Sequence, residues 1–219
     1  MNALTHPLNE PQRLQRLQRL GLLDTEAEAV LDGFTQLAVS VTGMPIALIS
    51  LIDHDRQWWK SAVGLPQGGG THRDHSFCSH AIAQGEALFE VEDARLDARF
   101  LDNPLVLSQP HVVHYAGVPL VMPGGERVGT VCVIDVQPGK LAPRARETLT
   151  HIAQCVVNVL LLRESERTQR EHALTEAKFK LITEAVPQMV WSALPDGQPD
   201  YFNQRWYDFT GMSAGEVGG

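Results

Sequence analysis

The stretch Ile46–Ile52 (IALISLI) limits what this chain can become more than any other part of it. It is seven residues long, carries no charge and is rich in β-branched side chains. It therefore reads as a central strand covered on both faces, because a half-exposed strand would alternate apolar with polar residues. Further strand signals surround it. A polar turn at 53–56 leads into a second strand at 57–63, which makes a hairpin. Residues 64–75 read as a flexible loop with Gly68, Gly69 and Gly70 in its middle. Ser76 is placed to cap a short helix ending near Gln84, and 87–91 reads as a third strand. Residues 92–110 are irregular and rich in Asp, Pro and Asn. Two more strands, 112–122 and 127–136, are joined by the tight turn Pro123-Gly124-Gly125-Glu126.

Helical spacing frames these strands. Leu14, Leu17 and Leu20 recur at helical intervals before Gly21. Thr25 and Glu28 form a capping-box pattern ahead of a second helix. In that helix Val30, Leu31, Phe34, Leu37, Ala38 and Val41 follow the i, i+3, i+4, i+7 rule. Pro143 suits the first turn of a long helix reaching about Glu184. The order helix, two strands, helix, strand, loop, two strands, helix predicts an α+β fold, an antiparallel sheet with helices packed on one face.

At 219 residues the chain has room for one or two domains, and its 43% hydrophobic content can supply their cores. A formal net charge of -8 argues against nucleic-acid binding, which needs a cationic surface to displace counterions. The longest candidate for an apolar span, 156–162, is far too short to cross a bilayer. Residues 1–20 lack the continuous apolar segment of a secretion signal. Cys78, Cys132 and Cys155 are too few and too scattered for a disulfide framework. These features predict a cytoplasmic location, with no nucleic-acid partner and no membrane contact within this stretch.

The long helix changes character midway. Leu149, Ile152, Val156 and Val159 keep heptad-like spacing, but the same register puts Arg163, Glu166 and Arg170 in the seam, and apolar residues return only at Ala173 and Ala177. Coiled-coil seams require apolar residues. The first half is therefore expected to pack in a homodimer and the middle to be a solvated connector. The alternative is one amphipathic helix packed on its own domain.

Several motifs occur together and in order: 16–24 (RLQRLGLLD), 56–64 (RQWWKSAVG), 76–82 (SFCSHAI), 91–106 (VEDARLDARFLDNPLV), 115–120 (YAGVPL) and 128–135 (VGTVCVID). They resemble a bacterial GAF family that often heads histidine kinases and cyclic-di-GMP enzymes. Residues 186–219 (VPQMVWSALPDGQPDYFNQRWYDFTGMSAGEVGG) resemble the opening of a PAS domain, of the kind preceding HWE-type histidine kinases. The resemblance implies a leader at 1–12, a GAF domain at 13–162, a helical connector at 163–184 and a truncated PAS start at 185–219. A half-domain cannot bury its own core, so the last segment is expected to be poorly ordered or to need a partner surface. The implied function is a sensory and regulatory module of a bacterial signal-transduction protein, with no enzyme within this chain. A small molecule in the GAF pocket would act through a dimeric helix on the PAS segment and on a histidine kinase or cyclic-di-GMP output domain. The alternatives are a ligand-free dimerisation scaffold and a thiol-dependent free methionine sulfoxide reductase.

GAF domains usually bind a small molecule between the sheet and the irregular crossover. The resemblance places that pocket at Trp58, Phe77, Cys78, His80, Phe100, Asn103 and Tyr115. This mixture of apolar and polar groups suits an organic ligand of unidentified structure. The competing reading puts Trp58 or Trp59 and Phe100 in the core and makes Asp93 and Asn103 backbone caps. A bilin would need a nucleophilic cysteine in the crossover or just before the strand at 112. Residues 93–114 contain none, so no bilin and no other cofactor is expected. The reductase alternative meets the same gap, although Cys78 lies near one expected position. His72, Asp74, His75, Cys78 and His80 crowd into one stretch. Among these, His72, His75, Cys78 and His80 are weak metal candidates, but their spacing matches no standard zinc motif and no metal is expected. His151 and His172 lie on the long helix in surroundings that do not resemble a phosphoacceptor motif, and no glycine-rich ATP-binding segment is present.

Overall fold

Strand β1 (Ile46–Ile52) lies inside a six-stranded antiparallel sheet, between β2 (Arg56–Val63) and β6 (Arg127–Asp135). With β3 (Gly70–His72), β4 (Phe89–Val91) and β5 (His114–Val121), the order across the sheet is β3-β2-β1-β6-β5-β4. The computed structural model describes Pro7 and residues 9–212. These form two units that divide between Glu164 and Ser165.

All seven residues of β1 are buried because the sheet is covered on both faces. Ala47, Ile49 and Leu51 join one core with α1 (Glu10–Leu20), α2 (Ala29–Thr42) and the first part of α5 (Pro143–Ala185). Leu48 and Ile52 join a second core with α3 (Phe77–Gln84) and the crossover residue Phe100. The three longer helices therefore share one face. The other face is covered by α3, which Ser76 caps by accepting from the Ser79 N–H at 3.1 Å, and by the crossover with its single turn α4 (Pro104–Leu107).

Several local expectations are corrected. The loop at 64–75 contains β3, whose residues pair with Arg56, Gln57 and Trp58. Gly70 permits this pairing, since a Cβ there would stand 2.3 Å from the Gln57 carbonyl oxygen. Thr25 and Glu28 do not form a capping box. No side chain caps the start of α2, because both groups face Lys60 instead. On α2, Leu31 and Ala38 are buried while Val30, Leu37 and Val41 are exposed. On α5, Leu149, Ile152 and Val156 are buried in their own domain's core, so this seam packs against the sheet rather than waiting for a partner helix.

The helix expected to follow a leader at 1–12 already begins at Glu10, and residues 1–6 and 8 lie outside the described residues. Glu10 is held firmly. Its carboxylate accepts from Arg13 at 2.8 and 2.7 Å and from Arg73 at 2.6 Å. Arg13 is fully buried and also donates to the Ile52 carbonyl at 2.5 Å. Arg73 donates to the carbonyls of Asp53 and His54 at 3.0 and 3.1 Å. One carboxylate thus ties α1 to the end of β1 and to the turn before α3.

In the second unit, β7 (Trp191–Ala193) pairs with β8 (Pro199–Phe202), and α6 (Gln204–Thr210) follows. The turn between the strands uses Gly197 at φ 89°. Asn203 is fully buried and uses both ends of its amide. It donates to the Thr183 and Gln188 carbonyls, both at 2.9 Å, and accepts from the Val190 and Trp206 N–H groups at 3.0 and 3.3 Å. Two strands give this unit little interior, and Leu181, Ile182, Trp191 and Phe209 remain exposed. Residues 213–219 of this segment lie outside the described residues. Among the described residues, no helix is long and apolar enough to cross a membrane.

The Glu10 cluster makes a quantitative prediction. Burial raises the Glu10 pKa, but hydrogen bonds from Arg13 and Arg73 outweigh it and hold the carboxyl at about 2, below its ordinary 4.5. The cluster therefore stabilises the fold fully above pH 4.5, and that contribution is lost as pH falls from 4.5 toward 2. Glu10→Gln, which leaves two buried guanidinium groups without their counter-charge, should cost on the order of 3 kcal/mol in urea unfolding at pH 7. The difference from the parent chain should narrow as the pH is lowered through that window.

Candidate functional site

A cavity of about 420 Å³ lies between the β1/β6 face of the sheet and the crossover. Leu48 and Ile134 line it from the sheet, Gln57 and Trp59 from β2, Gly70 and Thr71 from β3, Phe77 and Cys78 from α3, and Tyr115 from β5. Leu105, Gln109, Pro110 and Val112 close it from the crossover. Among the described residues, no Asp, Glu, Lys, Arg or His is in the lining. Two of the polar groups, from Gln57 and Tyr115, meet at Cys78. Its sulfur receives the Gln57 amide N–H and the Tyr115 hydroxyl, both at 3.3 Å. Gln57 also donates to Ser50 at 2.7 Å. The Trp59 indole N–H is buried and has no partner among the described residues.

Of the residues proposed from the sequence, Phe77, Cys78 and Tyr115 line this cavity, and Trp58, His80, Phe100 and Asn103 do not. Trp58 points to the opposite face of the sheet and into the helix-side core. Its neighbour Trp59 takes the cavity side, as alternation along a strand requires. Phe100 is fully buried behind Phe77, with the two rings stacked at 3.9 Å. His80 sets its ring edge against Phe100 at 4.8 Å, where burial and then the Arg99 charge lower its pKa. Asn103 caps α4 by accepting from the Leu105 N–H at 2.9 Å, and its amide donates to the His75 carbonyl at 3.0 Å. Asp93 likewise accepts from the Arg95 N–H at 3.1 Å. Gln57, Trp59 and Thr71 complete the site. The phase of β2 and the existence of β3 decide their membership, and neither is marked by a motif.

The weak metal candidates are not brought together. Cys78 turns to the cavity and to Cys132, His80 turns to Phe100, and the rings of exposed His72 and half-buried His75 are 5.8 Å apart. Among the described residues, no group of three or more His, Cys, Asp or Glu side chains is arranged to hold a metal.

Beneath the cavity, the Cys78 and Cys132 sulfurs lie 3.7 Å apart, and both residues are buried. Burial opposes ionisation of Cys78, but hydrogen bonds from Cys132 and Tyr115 outweigh it and lower its pKa to about 6. Cys132 is pushed upward, first by its bond to Cys78 and then by burial. Of the two thiols, Cys78 is therefore the more readily ionised. Cys155 is exposed on α5, apart from this site.

On the helix side of β2, Lys60 is buried. It donates to Thr25 Oγ1 at 2.7 Å, the Glu26 carbonyl at 2.6 Å and Glu28 at 2.6 Å. Glu28 also accepts both guanidinium arms of Arg163 on α5. Arg16 on α1 pairs with Glu164 at 2.8 Å. Arg163 is therefore an anchor of the helix to its domain, not a member of a solvated connector.

A GAF domain model matches residues 26–160. A cyclic di-GMP phosphodiesterase of Pseudomonas aeruginosa is 43% identical over 153 residues, which cover 69% of this chain. The chain spans only 26% of that relative's length. Among solved structures, the GAF domain of an Acinetobacter phosphoenolpyruvate-protein phosphotransferase is similar with a TM-score of 0.54 at 18% identity, covering 70% of this chain and 95% of that one. A type II free methionine-R-sulfoxide reductase of Thermoplasma acidophilum gives 0.50 at 14%, covering 60% and 90%. At these identities both structural likenesses show the fold alone.

The two adjacent tryptophans should respond differently to removal. Trp58→Ala opens a hole in the helix-side core and should cost about 3 kcal/mol or more in urea unfolding. Trp59→Ala enlarges a cavity that already exists and should cost less than half as much. The reverse order would contradict the assignment of the two faces.

Proposed function

Because the chain belongs to the GAF domain family, we propose that it is a sensory module of a bacterial signalling protein and that its cavity takes an uncharged small molecule. The carrying observation is the lining: apolar walls around the polar groups of Gln57, Thr71, Cys78, Gln109 and Tyr115, with no acidic or basic side chain among the described residues. A drug-sized organic molecule suits this volume and polarity. A ligand carrying phosphate or a free carboxylate would lose its water there without gaining a cation. A thiolate on Cys78 would repel it further. That chemistry also argues against a zwitterionic amino-acid substrate, and so against the reductase alternative.

The proposed relay runs along β2. Gln57 and Trp59 face the cavity, and Lys60 beside them reaches Glu28 and, through it, Arg163. A ligand that displaces Trp59 biases this chain of contacts only if it binds the two arrangements with different affinity. Residues 185–219 are proposed as the opening of a PAS domain, and the exposed Trp191 and Phe209 support a surface that further structure covers. The output lies elsewhere in the protein. The Pseudomonas aeruginosa relative favours cyclic-di-GMP turnover, and the PAS resemblance favours a histidine kinase. The exposed Val30, Leu37 and Val41 on α2, with Leu174 and Leu181 on α5, favour a homodimer. They also support the second reading, a ligand-free dimerisation scaffold.

Native mass spectrometry of the purified chain decides between the two readings. The sensor reading expects a retained small-molecule mass that disappears in Leu105→Trp, a substitution that fills the cavity. A chain that carries no added mass and gains no thermal stability from a panel of uncharged organic compounds would favour the scaffold.

A further inference from the structure

We propose that Cys78 and Cys132 form a peroxide-reactive dithiol, which closes to a disulfide inside the fold when a small hydroperoxide enters the cavity. The inference does not need the sensor ligand, because it stands on the contact between the two sulfurs and on Cys78's place in the cavity wall.

Three observations carry it. The sulfurs lie 3.7 Å apart on two different elements, α3 and β6, that pack in the same core. Both residues are buried, but Cys78 is in the cavity lining and Cys132 is not. The donors at the Cys78 sulfur, Gln57 Nε2 and the Tyr115 hydroxyl, both at 3.3 Å, are those that stabilise a thiolate, the nucleophilic form of the residue. Cys132 is the less readily ionised of the two, first through its bond to Cys78 and then through burial, which suits the resolving partner. The fold thus separates an attacking sulfur from a resolving one.

The chemistry balances without any further group. The Cys78 thiolate attacks the terminal oxygen of the hydroperoxide. The O–O bond breaks, Cys78 becomes the sulfenic acid, and the departing alkoxide or hydroxide takes up the proton that Cys78 gave up on ionising, to leave as an alcohol or water. The Cys132 sulfur then attacks the Cys78 sulfur. The S–S bond forms, the S–O bond breaks, and the hydroxyl leaves with the Cys132 proton as water. Two thiols lose two electrons in total, and the hydroperoxide gains them. A small dithiol reverses the change by thiol–disulfide exchange.

Closure brings the sulfurs from 3.7 Å to about 2.05 Å, which draws α3 toward β6. It also takes the Cys78 sulfur from Gln57 and Tyr115, leaving their polar groups to the cavity. Oxidation therefore alters the polarity of the same lining that would meet a ligand.

The test is peptide mapping of the full chain after one equivalent of hydrogen peroxide, with free thiols alkylated under denaturing conditions. The expected product joins the peptides carrying Cys78 and Cys132, is two hydrogens lighter than the separate thiols, and is lost on treatment with dithiothreitol. In Cys132→Ser the linked product is absent and Cys78 accumulates as a sulfenic acid captured by dimedone. Full alkylation of both Cys78 and Cys132 in the parent chain, under peroxide that oxidises exposed Cys155, would overturn the proposal. So would linkage of Cys155 between two chains with no Cys78–Cys132 product.

Discussion

Lys60 sets the terms for the helix side of this domain. Its side chain is wholly removed from solvent, and a buried ammonium is tolerated only when its charge and protons are matched. Thr25, Glu26 and Glu28 supply three acceptors for three N–H bonds. The entry to α2 is shaped by that demand, which is why the segment from Thr25 to Glu28 embraces a lysine instead of capping the helix. Glu28 then has a second carboxylate oxygen to offer, and Arg163 takes it. A single buried cation on β2 thereby fixes the start of α2 and the point at which α5 leaves the sheet.

The cavity face obeys a different rule. Among the described residues its lining holds no Asp, Glu, Lys, Arg or His, and Gln57 and Tyr115 converge on the Cys78 sulfur. The two faces of β2 therefore do different work one residue apart: Trp59 and Gln57 meet whatever enters the cavity, and Lys60 holds the electrostatic joint with α5. β2 is paired with β1 along its length and with β3 at Arg56, Gln57 and Trp58.

What was legible in the sequence follows from how local each signal is. The uncharged, mostly apolar run of β1, the Ser76 cap and the Pro143 start each depend on neighbouring residues, and they were readable. Two features depended on distant partners and were not. β3 exists because Gly70 lets a backbone approach β2, and nothing in three consecutive glycines distinguishes that from a flexible loop. The apolar residues Leu149, Ile152 and Val156 fit a dimer seam and a core face equally well, since both repeat at nearly the same interval. Of the residues named by resemblance, Phe77, Cys78 and Tyr115 line the cavity. Trp58 was named in place of Trp59 because the alternation of β2 has no anchor until its pairing with β1 is known. Asn103 and Phe100 were named with the ligand site, although their alternative roles as a cap and a core residue were already visible.

The central claim is that the Lys60–Glu28–Arg163 contact holds α5 where it departs from the sheet, and hydrogen exchange measured by mass spectrometry tests it most directly. In Glu28→Gln, amides at 156–170 should exchange faster than in the parent chain, while those at the centre of β1 and β6 keep their protection. Unchanged exchange across 156–170 would show that apolar packing alone holds the helix and would contradict the account.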